Sequence, residues 1–165
     1  MSRILSLQAA IEERSALRRA GRTLVLTNGC FDLLHVGHVR SLWAAAKEGD
    51  VLWVGVNDDA SVRLLKGADR PLVPWEERAE VLAALRPVDA VIGFSEVTAA
   101  HLLAALEPDV YVKGGDYTPK TLPEMPLVRA LGIRLVLVPP VPNRSSSRLL
   151  ELARSRAHRA VSCEK

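Results

Sequence analysis

The chain reads as an α/β protein built on a single, doubly wound parallel sheet of five strands. Three observations predict this. Short runs rich in Val, Leu and Ile recur along the sequence, each followed by a longer stretch with helical spacing of apolar residues. Gly or Pro marks most passages from a helical stretch to the next strand, as at Gly49-Asp50, Arg86-Pro87, Glu107-Pro108 and Leu131-Gly132. The composition, 48% hydrophobic yet 4% aromatic, supplies the aliphatic core that a helix-covered parallel sheet packs.

Taken in order, residues 4–20 place Ile4, Leu5, Leu7, Ala10, Ile11 and Leu17 among charges. They predict an amphipathic helix outside the core unit, ended by Gly21, so that residues 1–21 stand apart from a domain of residues 22–153. Strands are expected at Thr23 to Asn28, Val51 to Val56, Ala90 to Phe94, Val110 to Lys113 and Arg134 to Val138. Helices are expected at Val36 to Glu48, Asp59 to Leu65, Trp75 to Leu85, Val97 to Leu106, Glu124 to Leu131 and Ser146 to about Ser155. Residues 154–165, with Arg154, Arg156, Arg159 and Lys165, read as a basic, frayed tail.

At 165 residues the chain suits one well-buried domain. No apolar run reaches membrane-spanning length and no basic-then-apolar leader opens it, which predicts a cytoplasmic protein with no membrane role. Two cysteines, Cys30 and Cys163, make no disulfide framework. The net charge of +3 is not interleaved with aromatics, so nucleic acid is not the expected partner; small polyanions are.

The most informative segment is Thr27-Asn-Gly-Cys-Phe-Asp-Leu-Leu-His-Val-Gly-His38. It joins an apolar strand to a helix that opens with two histidines three residues apart. His35 and His38 thus share one face of a first helical turn, where unpaired amides and the helix dipole already favour an anion. A zinc site of these histidines with Cys30 and Asp32 is the weaker reading, because Cys30 and His38 fall on opposite sides of the turn; no resident metal is expected. Two further unusual segments fall at strand ends, where such sheets bind ligands. Arg144-Ser-Ser-Ser147 reads as a helix start able to hold a terminal phosphate, or as an ordinary cap. Lys113-Gly-Gly-Asp116 places a lysine at a buried strand end, with a substrate role or with Asp116 as its partner. Lys66-Gly-Ala-Asp-Arg70 is either a basic loop that closes over phosphates or a solvated one. Arg78 and Arg86 are weak signals by themselves. Such donors suit attack of a phosphate on a nucleoside triphosphate, which needs charge stabilisation rather than a general base.

These residues resemble a known family. Thr27 to His38 resembles the H-x-G-H signature of the cytidylyltransferase-like nucleotidyltransferases. Val56-Asn-Asp-Asp-Ala-Ser61, Arg70-Pro71 with Glu77-Arg78, and Val112-Lys-Gly-Gly-Asp-Tyr117 resemble its sugar-phosphate branch, that of D-glycero-β-D-manno-heptose 1-phosphate adenylyltransferase domains. The resemblance covers roughly Arg22 to Leu152. It implies a Rossmann-like sheet of HUP type with strand order 3-2-1-4-5 and a nucleotidyltransferase domain over residues 22–153. It also implies transfer of AMP from ATP to a sugar 1-phosphate, with Mg2+ held mainly on the phosphates. By position, His35, His38 and Lys66 would be catalytic. Thr27, Asn28, Gly29, Cys30, Phe31, Gly37, Gly115, Asp116, Arg144, Ser145, Ser146 and Ser147 would bind nucleotide. Asp32, Lys113, Arg78 and Arg86 would lie on the acceptor side or at a subunit contact.

Two departures bear on substrate. Leu150 stands where some superfamily members place an arginine after the serine motif; the sugar-phosphate branch also lacks that arginine. Thr118 to Pro126, with Pro119, Pro123 and Pro126, is unlike some heptose enzymes and is expected to shape the acceptor pocket. Relatives often carry a fused sugar kinase, which is expected here as a separate protein, and a homodimer is plausible by the same resemblance. A cytidylyltransferase for a polyol or amino-alcohol phosphate, or a non-catalytic nucleotide-binding module, would use the same phosphate site.

Overall fold

The central strands of this chain are apolar on both sides, and so need cover on both faces. The structure, a computed structural model, describes residues 3–142 and 144–162. Its elements follow in order as β1 (Arg3–Leu5), α1 (Leu7–Arg19), β2 (Leu24–Gly29), α2 (Val36–Ala46), β3 (Val51–Asn57), α3 (Asp59–Lys66) and α4 (Trp75–Ala83). Then come β4 (Ala90–Phe94), α5 (Ala100–Leu106), β5 (Val110–Gly114), α6 (Met125–Ala130), β6 (Arg134–Val138) and α7 (Ser146–Ser162).

The six strands form one all-parallel sheet in the order β1-β4-β3-β2-β5-β6. Alternate residues feed two separate cores. Leu24, Leu26, Trp53, Ile92 and Tyr111 pack with Ala10 and Leu17 of α1, Leu102, Leu103 and Leu106 of α5, and Val128 of α6. Val25, Leu52, Val54, Val91 and Val112 pack with Leu42 and Ala45 of α2 and with Ala79 and Leu82 of α4. Helices therefore cover both faces, as the sequence predicts.

The five expected strands are neighbours in the expected order, but a sixth extends the sheet. Ile4 and Leu5, expected to open a helix, instead pair in parallel with Val91 and Ile92 on the outer edge of β4. Three residues carry no period of their own, and an open sheet edge offers backbone partners that a helix start would leave unused. Ser6 then caps α1, its Oγ accepting from the Ala9 N–H at 3.2 Å. Nor does α1 lie outside the core. Ala10 is fully buried, and the buried Arg14 donates to the carbonyls of Leu106 and Glu107 and to Asp109 at 3.0 Å. The tail also differs: helical backbone runs on to Ser162, past the expected fraying point at residue 154, while Cys163 and Lys165 lie outside the described residues.

Strand order reverses between β2 and β5, which pair from Val25↔Val110 to Thr27↔Val112. The connections leaving these two strands diverge to opposite faces, and a crevice opens at their carboxyl ends.

Candidate active site

That crevice is a cavity of about 590 Å³, within the range of small-molecule sites. Its first wall is the turn between β2 and α2. The chain leaves Gly29, turns at Phe31 with a φ of 50°, and enters α2 at His35. His35 is the N-cap, and its Nδ1 accepts from the Gly37 N–H at 3.1 Å. His38, at the third helical position, answers by accepting from the His35 N–H on its own Nδ1 at 3.4 Å. The pair is a capping box in which imidazoles replace the usual hydroxyl and carboxylate.

This geometry fixes the protonation of both rings. An Nδ1 that accepts an amide proton carries none itself, so each neutral imidazole has its hydrogen on Nε2 and presents a donor there. Burial, with His35 alongside, lowers the pKa of His38 to about 4. Burial, then the Arg144 charge, lowers that of His35. Both are neutral hydrogen-bond donors at neutral pH. The rings stack with centroids 3.9 Å apart, and His38 also leans on Phe31. Gly37 is required by the folded-back ring: a Cβ there would come within 2.8 Å of His35 Nδ1.

The start of α7 adjoins this turn and continues the wall. Ser145 Oγ accepts from the Arg148 N–H at 3.2 Å, capping the helix, and Ser146 Oγ donates to the Leu33 carbonyl at 2.9 Å. That last bond ties the serine run to the histidine turn. Two helix N-termini thus converge on one space, and both concentrate positive potential there. Asn143, just before them, lies outside the described residues.

Of the residues singled out in sequence, Thr27, Asn28, Gly29, Cys30, Phe31, Asp32, His35, Gly37, His38, Lys66, Lys113, Gly115, Asp116, Arg144 and Ser145 to Ser147 all line this one cavity. Lys66 ends α3 and is exposed at the rim. Asp116 is also exposed, beyond Gly115, whose positive φ of 117° suits glycine.

The structure places the four residues expected on the acceptor side very differently. Asp32 lines the cavity, but one oxygen pairs with Arg70 and the other accepts from the N–H groups of Leu72 (2.8 Å) and Val73 (3.1 Å). Its carboxylate is spent anchoring the loop after α3. Arg78 is not in the cavity: only 2% exposed, it donates to the carbonyls of Val73, Cys30 and Asn57 and to Asp59. Arg86 is exposed near the amino end of β4, the wrong end of the sheet for this crevice. Lys113 is in the cavity, but its neighbours are Asn28 Oδ1 at 2.9 Å, the Tyr111 hydroxyl at 3.3 Å and Glu124 Oε1 at 3.9 Å, rather than Asp116. Burial lowers its pKa, and Glu124 opposes the shift.

Glu124 was not foreseen. It is 3% exposed, lines the cavity and accepts from the Ala99 N–H at 3.0 Å. The proline-marked stretch Thr118 to Pro126 was the signal, though it pointed to a segment rather than a residue. Among the described residues, no three His, Cys, Asp or Glu side chains are grouped to hold a metal. Cys30 is a half-buried thiol whose pKa burial raises. No helix of the described residues is long and apolar enough to cross a membrane.

The profile of the family described as Cytidylyltransferase-like matches residues 26–151. The chain is 52% identical over 134 residues to the "Bifunctional protein HldE" of Syntrophotalea carbinolica, covering 81% of this chain and 27% of that protein. It is 50% identical over 139 residues to the protein of the same name from Halorhodospira halophila, covering 84% and 29%. The chain thus spans under a third of the length of these relatives. Among solved structures it is similar to a lipopolysaccharide core biosynthesis protein from Thermoplasma volcanium, with a TM-score of 0.62 and 28% identity over 73% of this chain and 98% of that one. It shares its fold with the pantoate-beta-alanine ligase of Francisella tularensis, solved in complex with beta-gamma ATP and beta-alanine, at a TM-score of 0.63 and 14% identity over 88% and 74% of the two chains.

Proposed function

Because the chain belongs to the cytidylyltransferase-like family, we propose that it transfers AMP from ATP to a sugar 1-phosphate, releasing pyrophosphate and an ADP-sugar. A heptose 1-phosphate is the acceptor suggested by the Lys113-to-Tyr117 segment and by the likeness to the HldE proteins. The single observation that carries the reading is the pair of neutral histidines set beside the α7 start in one cavity.

The chemistry follows from what these groups can do. An oxygen of the acceptor phosphate attacks the α-phosphorus of ATP, and the bond from that phosphorus to the bridging oxygen of pyrophosphate breaks. The attacking phosphate is already anionic, so no side chain has to remove a proton. Negative charge spreads over the α-phosphate oxygens and the departing pyrophosphate. His35 and His38 meet the first with two Nε2–H donors whose orientation the capping box has set in advance. The α7 start, with Arg144, and Lys66 at the rim meet the second. Magnesium would arrive on the triphosphate, neutralising its charge. That fits a cavity whose Asp32 is already engaged and whose other carboxylates, Asp116 and Glu124, are not clustered with it.

The test is pyrophosphate release from ATP, CTP, GTP and UTP against a panel of phosphorylated sugars and polyols, with products identified by mass. ATP with a sugar 1-phosphate should give the fastest release. Preference for CTP with a polyol phosphate would replace this reading, and binding of ATP without release from any pair would reduce the chain to a nucleotide-binding module.

A further inference from the structure

The histidines and the α7 start occupy one side of the cavity, and the other side is polar in a different way. Asn28 and Lys113 follow the alternation of Leu26 and Tyr111, so their side chains face the α5–α6 side of the sheet rather than the α2 side. There the Tyr111 hydroxyl donates to Asn28 Oδ1 at 2.6 Å, and Lys113 Nζ donates to that same oxygen at 2.9 Å. Glu124 approaches from the loop before α6. Its Oε1 is held by the Ala99 N–H, while its Oε2 is buried and meets no hydrogen-bond donor among the described residues. Lys113 Nζ lies 3.9 Å from Oε1, beyond hydrogen-bond length.

A buried carboxylate oxygen without a donor is unfavourable, and a substrate that brings the donor removes the penalty. The neighbouring ammonium adds a second requirement. A ligand group lodged between Lys113 and Glu124 must accept from the first and donate to the second. A hydroxyl does both; an exocyclic amine of a nucleobase only donates. We propose that Glu124 Oε2 and Lys113 Nζ together form a hydroxyl-recognition site for the acceptor, binding one specific hydroxyl of a polyhydroxylated phosphate ester. This inference rests on the nucleotidyl-transfer reading above and adds to it the residue that selects the acceptor. Tyr117, its ring 5.1 Å from Lys113 Nζ, and Thr98 border the same side and would close around the sugar body.

The test pairs substrate and protein. The unaltered protein is assayed with the sugar 1-phosphate it uses best and with each monodeoxy analogue of that sugar. The same series is run on Glu124→Gln, in which the amide oxygen still accepts from Ala99 while the other position becomes a donor. In the unaltered protein one analogue should lose about 10- to 100-fold in kcat/KM. Glu124→Gln should lose a similar factor on the full substrate, leave the KM for ATP within about twofold, and no longer distinguish that analogue. Losses below threefold across the whole deoxy series on the unaltered protein would overturn the proposal, even if Glu124→Gln fails to fold. A raised KM for ATP with acceptor kinetics intact would overturn it in favour of base recognition. Absence of pyrophosphate release with every sugar phosphate would be a different failure, removing the activity reading and this inference together.

Discussion

His35 and His38 are stacked 3.9 Å apart at the start of α2, and each uses Nδ1 to accept a main-chain N–H of that same turn. One arrangement caps the helix, selects the tautomer and leaves both Nε2–H groups to a ligand. Structural and chemical roles are thereby divided between the two nitrogens of each ring.

Replacing His38 by Asn separates these roles, because the Asn oxygen can stand in for Nδ1 while nothing replaces Nε2–H. The expected result is a folded protein with kcat lowered about 10²- to 10³-fold, the usual cost of one transition-state donor. A rate within threefold of the unaltered protein would take His38 out of the mechanism.

The low pKa of His38 carries a stability consequence. Its folded value of about 4 lies below the ordinary 6.5, so between those values the unfolded chain binds more protons than the folded one. Stability should rise with pH across that window and fall on acidification from 6.5 towards 4. Thermal unfolding followed over this range should show a shallower pH dependence in His38→Asn; an unchanged slope would mean that other groups govern it.

Gly37→Ala tests the close approach of the His35 ring. The added Cβ would sit 2.8 Å from that ring, which can swing away more cheaply than the backbone can shift. Helical propensity favours alanine by up to about 1 kcal/mol, so stability should change little. Activity should fall at least about tenfold as the ring leaves its donor position. Comparing the melting temperature with kcat separates the two.

Arg78 and Arg86 should behave oppositely to one another. Arg78→Ala removes the donor to three carbonyls and to Asp59 in a buried site, and should cost about 3 kcal/mol or more in urea unfolding. Arg86→Ala changes an exposed residue away from the cavity and should leave stability within about 0.5 kcal/mol and activity unaltered.

Lys66→Ala should lower kcat/KM for ATP and leave the fold intact, since the side chain lines the cavity from an exposed position. A rate equal to that of the unaltered protein would make the loop after α3 a solvated connection.

What the amino-acid sequence determined by itself was local in origin. Strand and helix order came from periodicity and from Gly and Pro at the breaks, and the histidine turn came from a strand followed by histidines one helical turn apart. All of that is encoded within a few residues, where backbone geometry dictates which side chains share a face. Tertiary structure alone decided which charges are free. Asp32, Arg78 and Lys113 look alike in sequence as charged residues near a motif. Yet Asp32, though it lines the cavity, is spent on a loop 38 residues on, Arg78 on carbonyls of three segments, and Lys113 lines the cavity beside Asn28 and Glu124. The same holds for Glu124, whose amide donor, Ala99, is 25 residues away, and for β1, which exists because β4 offered an edge. A buried polar group must find partners wherever the chain brings them, and that matching is a property of the packed molecule rather than of any segment.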